Sequence, residues 1–179
     1  MNIDMIPPEM ITDFITGQSL PNEGAEANRQ SAEKYLVRQK QFHVGDILVN
    51  LPITVTIATE TYRSRVDLAV RINERIVMVV KCAAGSLESR QREIIAAARL
   101  LTSYQIPLSV VTDGQTAFVY DTVNGKKIGT GIEAIPHRKE AVRLAEATDF
   151  IPYPENRRER EAIIFRSYDT MNINVTRNG

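Results

Sequence analysis

The chain has 179 residues, 22 Lys+Arg against 22 Asp+Glu, and a formal net charge of zero. With 43% hydrophobic and 25% charged residues it can build a core and is not disordered by composition, and its charge does not announce a strongly basic nucleic-acid binder. One Cys and two His leave no internal disulfide and no four-ligand zinc site, and no apolar run approaches the roughly 18–20 residues that span a bilayer.

Residues 1–4, Met-Asn-Ile-Asp, lack a basic region followed by an apolar one, so no secretory leader is read. With the lone Cys82, this places the chain in a reducing cytoplasm. Pro7 and Pro8 open a short predicted helix over 7–15, which Gly17 and Pro21 break. A longer helix is predicted over 23–41, with Ala25, Ala32, Tyr35 and Leu36 on one face. From Ile47 the pattern changes. Runs rich in Val, Ile and Thr at 47–57, 62–72 and 75–83, separated by turn-like pieces, predict a three-stranded meander. Ile76-Val77-Met78-Val79-Val80 is apolar on both faces and should be central.

Ser86 is placed to cap a helix in which Leu87, Gln91, Ile94, Ala98 and Leu101 recur at spacings of three and four, with Pro107 closing it. Strands follow at 108–112 and 116–120, joined by Asp113-Gly114, with a further turn at Asn124-Gly125. Pro136 starts a helix to about Ala147. A final helix over 155–171 has a polar first half and a thin stripe of Ile164, Tyr168 and Met171. The order predicts an α/β sandwich around a mixed sheet with a crossover helix in its middle. Residues 1–150 form the main domain and 151–179 a helical arm, which must dock its stripe either on its own domain or on a second copy, as a homodimer.

Three residues stand out. Asp67 interrupts a strand whose neighbours Val66, Leu68 and Val70 should lie on the opposite face, so it either meets solvent or lines a site. Lys81 ends the most apolar strand, sharing a side with Val79 and Ala83. It either snorkels from the strand end or points into a pocket. Gln91 sits one turn into the crossover helix, where it either serves nearby backbone or reaches the strand ends.

Together these pieces resemble the PD-(D/E)xK nuclease fold, and within it the N-terminal domain of type I restriction enzyme R subunits. The resemblance runs over 11–121. It is carried by Glu26-Ala27-Asn28-Arg29-Gln30, Arg65-Val66-Asp67-Leu68-Ala69-Val70, Val79-Val80-Lys81-Cys82-Ala83, Gln91, and Val111-Thr112-Asp113-Gly114 before Tyr120-Asp121. It implies a restriction-endonuclease-like sandwich, a mixed central sheet flanked by helices. It also implies a site in which Asp67 and the Glu of an E-x-K pair hold Mg²⁺, Glu26 assists, and a lysine positions the attacking water. A hard cation held by carboxylates would generate hydroxide and neutralise developing charge.

The E-x-K segment departs from this pattern. In one register Lys81 replaces the Glu and Ala83 the Lys; in the other Lys81 is the motif lysine and Val79 replaces the Glu. Either way a central carboxylate is missing, so Mg²⁺ should bind weakly or not at all. Glu88, or with less claim Glu93, is the candidate for a migrated carboxylate. No G-x-x-x-x-G-K-[S/T] motor motif occurs. The expected function is that of a nucleic-acid-associated relative with a degenerate nuclease centre. The alternatives are an active Mg²⁺-dependent endonuclease and a protein-interaction module that keeps only the fold. Arg29, Arg38, Arg63, Arg65, Arg90, Arg92 and Arg99 would favour DNA binding if they formed one face, and would not if Glu33, Glu88 and Glu93 neutralised them.

Overall fold

A computed structural model describes residues 7–177; the leader reading at residues 1–4 falls outside them. Two short strands, β1 (Met10–Thr12) and β2 (Ser19–Pro21), pair as a small hairpin and are followed by α1 (Glu26–Arg38). This hairpin replaces the helix expected over 7–15. Asp13 decides it: its Oδ1 accepts the N–H groups of Ile15 and Thr16, closing a turn where a helix would have had to continue.

The main sheet holds β3 (Ile47–Ile57), β4 (Glu60–Ile72), β5 (Arg75–Cys82), β6 (Leu108–Thr112), β7 (Ala117–Asp121) and β8 (Lys127–Thr130), side by side in chain order. All neighbours are antiparallel except β5 and β6, which run parallel. Only that pair needs a crossover, and α2 (Gln91–Leu100) supplies it. Asn73 and Glu74 both take positive φ, the conformation of a two-residue hairpin whose twist matches its strands. The central position expected for Ile76 to Val80 is found for β5: Val77 to Val80 are buried between helical layers, and Ile76 is half-buried. The edge strand β8 went unread because Gly129 breaks its alternation. A Cβ there would come within 2.7 Å of the Ala134 Cβ, so the residue must stay small.

Two apolar layers enclose the sheet. On one side α1 and α3 (Arg138–Ala147) bring Ala32, Leu36 and Ala141 against Leu68, Val70, Val77 and Val80. On the other, α2 and α4 (Glu155–Arg177) bring Ile94, Ala98, Ala162 and Phe165 against Ile53, Val55, Val79 and Val111. This is the mixed α/β sandwich with a C-terminal helix that the sequence implied.

Several details differ from expectation. Ser86 does not cap α2. A 3₁₀ turn at Glu88–Arg90 comes first, and Ser86 instead offers its carbonyl to the Ser89 hydroxyl. The helix also ends before Pro107, at Leu100, because the Thr102 hydroxyl bonds the Tyr104 backbone and turns the chain. The arm docks on its own domain. Of the expected stripe, Ile164 is half-buried and packs against the core, Tyr168 is half-buried and Met171 is exposed. The buried face is Glu161, Ala162, Phe165 and Asp169, with the Phe165 ring edge-on to Tyr62. Two carboxylates tolerate that burial because each has a partner. Glu161 takes Arg99 and the Tyr153 hydroxyl, and Asp169 takes the Tyr62 hydroxyl. A homodimer through this arm would have to use its outer side. Among the described residues no helix is long and apolar enough to cross a membrane.

Candidate functional site

The hairpin β3–β4 rolls over at one rung. Ile47 and Val49 face the α1–α3 layer with Leu68 and Val70, whereas Leu51, Ile53 and Val55 face the α2–α4 layer with Val66. The inward parity switches on both strands between 49 and 51 and between 66 and 68. The residues at the switch are Asn50, in the left-handed region at φ +52°, and Asp67 opposite it. Asn is one of the few side chains that tolerate this backbone. Val66 therefore does not share a face with Leu68 and Val70, as simple alternation required.

Across the other edge of β4, Leu68 pairs with Val80, which sets Asp67 against Lys81. Lys81 Nζ lies 3.7 Å from Asp67 Oδ2 and 3.0 Å from Glu93 Oε1 on α2. Asp67 Oδ2 also accepts the Cys82 N–H at 2.7 Å. Burial pushes the Lys81 ammonium toward neutrality, but the charges of Asp67 and Glu93 outweigh it and raise its pKa. Asp169 of α4 adds to the same field. Cys82 is a buried thiol whose pKa burial pushes well up, so it is no nucleophile.

Glu26 and Asp67 border one small hollow of 140 Å³, together with Glu23, Arg29, Asn50 and Cys82. Glu26 is nevertheless engaged elsewhere: it accepts from Arg29 and from Gln30. Gln91 begins α2 half-exposed, and among the described residues no hydrogen bond joins it to Asp67 or Lys81. Of the two glutamates that could carry a migrated carboxylate, the structure brings Glu93, not Glu88, to Lys81. Glu88 is exposed in the 3₁₀ turn, and Glu93 on the buried face of α2 reaches Lys81. The usable signal was the sector Glu93 shares with Ala96, Ala97 and Leu100.

Sequence reasoning missed a second polar cluster altogether. Arg29 is buried and its guanidinium meets three carboxylates: Asp13 Oδ2 at 2.8 Å, Glu33 Oε1 at 2.8 Å and Glu26 Oε1 at 2.5 Å. Gln30 closes the ring, donating to Asp13 and accepting the Phe14 N–H. Burial works to raise the Asp13 carboxyl, but bonds from Thr16 and Gln30 and the Arg29 charge hold it below its usual range. Glu33 goes the other way. Burial pushes it up to about 7, although Arg29 pulls it down, and its Oε2 finds no hydrogen-bond partner among the described residues.

Glu33 sets a pH dependence. Its folded value lies above its ordinary 4.5, so its contribution to stability is greatest below 4.5 and is lost as pH rises through about 7. The loss is about 3 kcal/mol between pH 5 and 8. Urea midpoints should fall over that interval, and Glu33→Gln should flatten the fall. An equal fall in parent and variant would assign it to other groups.

The site can hold an ammonium between two carboxylates. The position facing Asp67 across the strands, where a second carboxylate would share the ion, carries Lys81, and among the described residues no three His, Cys, Asp or Glu side chains converge to hold a metal ion.

Compared with known proteins, residues 24–136 match the family described as type I restriction enzyme R protein N terminus (HSDR_N). No curated protein and no solved structure matches the chain.

Proposed function

The chain belongs to the type I restriction enzyme R protein N-terminal family, and from that premise we propose that it is a cytoplasmic, nucleic-acid-associated domain of PD-(D/E)xK type whose nuclease centre no longer cuts. The observation that carries this reading is the Lys81 ammonium lodged between Asp67 and Glu93. A fixed monovalent charge occupies the place a hydrated divalent cation would need. It neutralises the carboxylates without supplying a Lewis acid or an activated water. Glu26, which borders the hollow beside Glu23 and Asp67, is held by Arg29. The family ties the domain to restriction enzymes, whose substrate is DNA. The buried free thiol of Cys82 suits a reducing compartment.

The test is a cleavage assay with plasmid and single-stranded substrates in Mg²⁺, run beside Asp67→Ala. The expected result is no cutting above that variant. Robust cutting that Asp67→Ala abolishes would overturn the reading and establish an active endonuclease built on Asp67, Lys81 and Glu93.

A further inference from the structure

Two of the arginines that the sequence singles out are spent on internal carboxylates. Arg29 is enclosed by Asp13, Glu26 and Glu33, and Arg99 is held by Glu161. Two exposed cations without a salt bridge among the described residues, Lys139 and Arg143, stand beside the paired Arg138 where the end of α1 meets the start of α3. A hollow of 540 Å³ opens there, lined by Gln41, His43, Arg138, Lys139, Val142 and Arg143, with no carboxylate in its lining.

Its walls are fixed. The Arg138 N–H donates to the Lys40 carbonyl, and Lys40 Nζ donates to the Glu133 carbonyl. The Arg138 side chain is anchored from below, its Nε donating to Asp46 Oδ2 at 2.7 Å, and His43 Nδ1 lies 3.9 Å from the same oxygen. Glu140, the nearest acid on α3, turns away to accept the His137 N–H. Lys139 and Arg143 lie one helical turn apart, on the same side of α3, and both are exposed. Among the described residues neither forms a salt bridge.

We propose that this hollow binds the phosphodiester backbone of nucleic acid. The inference rests on the nucleic-acid reading above and gives it a surface away from Asp67. Lys139 supplies a point charge and Arg143 a planar fork, the two cationic geometries that phosphate oxygens accept, and Arg138 adds a positioned third charge. The hollow is large enough for consecutive phosphates. Contacts of this kind orient a strand without reading its sequence.

The experiment measures fluorescence anisotropy of labelled duplex and single-stranded oligonucleotides over a salt series, with the parent and the double variant Lys139→Glu, Arg143→Glu. Arg138 is left in place because it braces Asp46. The double variant should bind at least about tenfold more weakly, and its slope of log affinity against log salt should be shallower by about 2 for duplex. Lys139→Gln, Arg143→Gln should show the same change in slope, which covers any misfolding of the charge-reversed protein. A parent that binds while both variants bind equally well overturns the groove and leaves the nucleic-acid reading standing. A parent that binds no oligonucleotide overturns both. Poly-glutamate binding as tightly as DNA of equal charge overturns the groove in favour of an acidic protein partner.

Discussion

Lys81→Ala is expected to lower the stability of the domain by about 3–5 kcal/mol, the range seen when one member of a buried charged group is removed. The cost is electrostatic. Glu93 keeps only 4% of its side chain exposed and Asp67 24%, so removing the ammonium between them leaves two carboxylates facing each other with little water to screen them. Lys81→Met should recover little, because it restores the aliphatic stem and not the charge. Lys81 has a raised folded pKa, so its contribution is complete below the ordinary lysine value and is lost only as pH rises through the folded one. Urea unfolding of the three proteins at pH 8 decides the matter. A Lys81→Met protein that unfolds with the parent at pH 8 would show that the stem mattered and the ion pair did not.

Much of this site was legible because strand alternation is a rigid rule. Val79, Lys81 and Ala83 had to share a side, and Asp67 had to stand near them if the meander paired in the obvious register. What stayed hidden were partners set by tertiary packing. Glu93 is a charged residue on the apolar inward face of α2, and the Lys81 ammonium 3.0 Å away compensates its burial. The switch of parity at Asn50 and Asp67 was invisible for another reason. Asn50 takes a left-handed backbone inside a strand whose composition reads as regular. The strands themselves were read closely, since branched side chains and turn residues alternate along them. The N-terminal hairpin and α4 were misread where polar contacts replace apolar ones: Asp13 turns the chain through its own backbone, and Glu161 and Asp169 lie on the face α4 buries. A pattern search for hydrophobic stripes passes over such faces by construction.

Arg29→Ala should be the other severe substitution, costing about 3–5 kcal/mol at neutral pH. Arg29 is a single cation serving Asp13 and Glu33, both with fully buried side chains, and the partly exposed Glu26. Without it three carboxylates face one another. Glu33, already held near 7 by burial, loses the one charge that lowers it, and Asp13 loses part of what keeps its carboxyl below the usual range. Both changes favour protonation, so the variant should be penalised more at pH 8 than at pH 5, in the same direction as the Glu33 dependence of the parent but more steeply. Arg29→Lys should fall between, because an ammonium on a flexible stem cannot fork to several carboxylates at once. The damage should also have a location. The hairpin β1–β2 is tied to α1 chiefly through Asp13, Gln30 and Arg29, so its amides should lose hydrogen-exchange protection before those of β5 and β6. Arg29→Ala unfolding within about 1 kcal/mol of the parent at pH 8, with the hairpin still protected, would show that the carboxylates settle by sharing protons and that the arginine is dispensable.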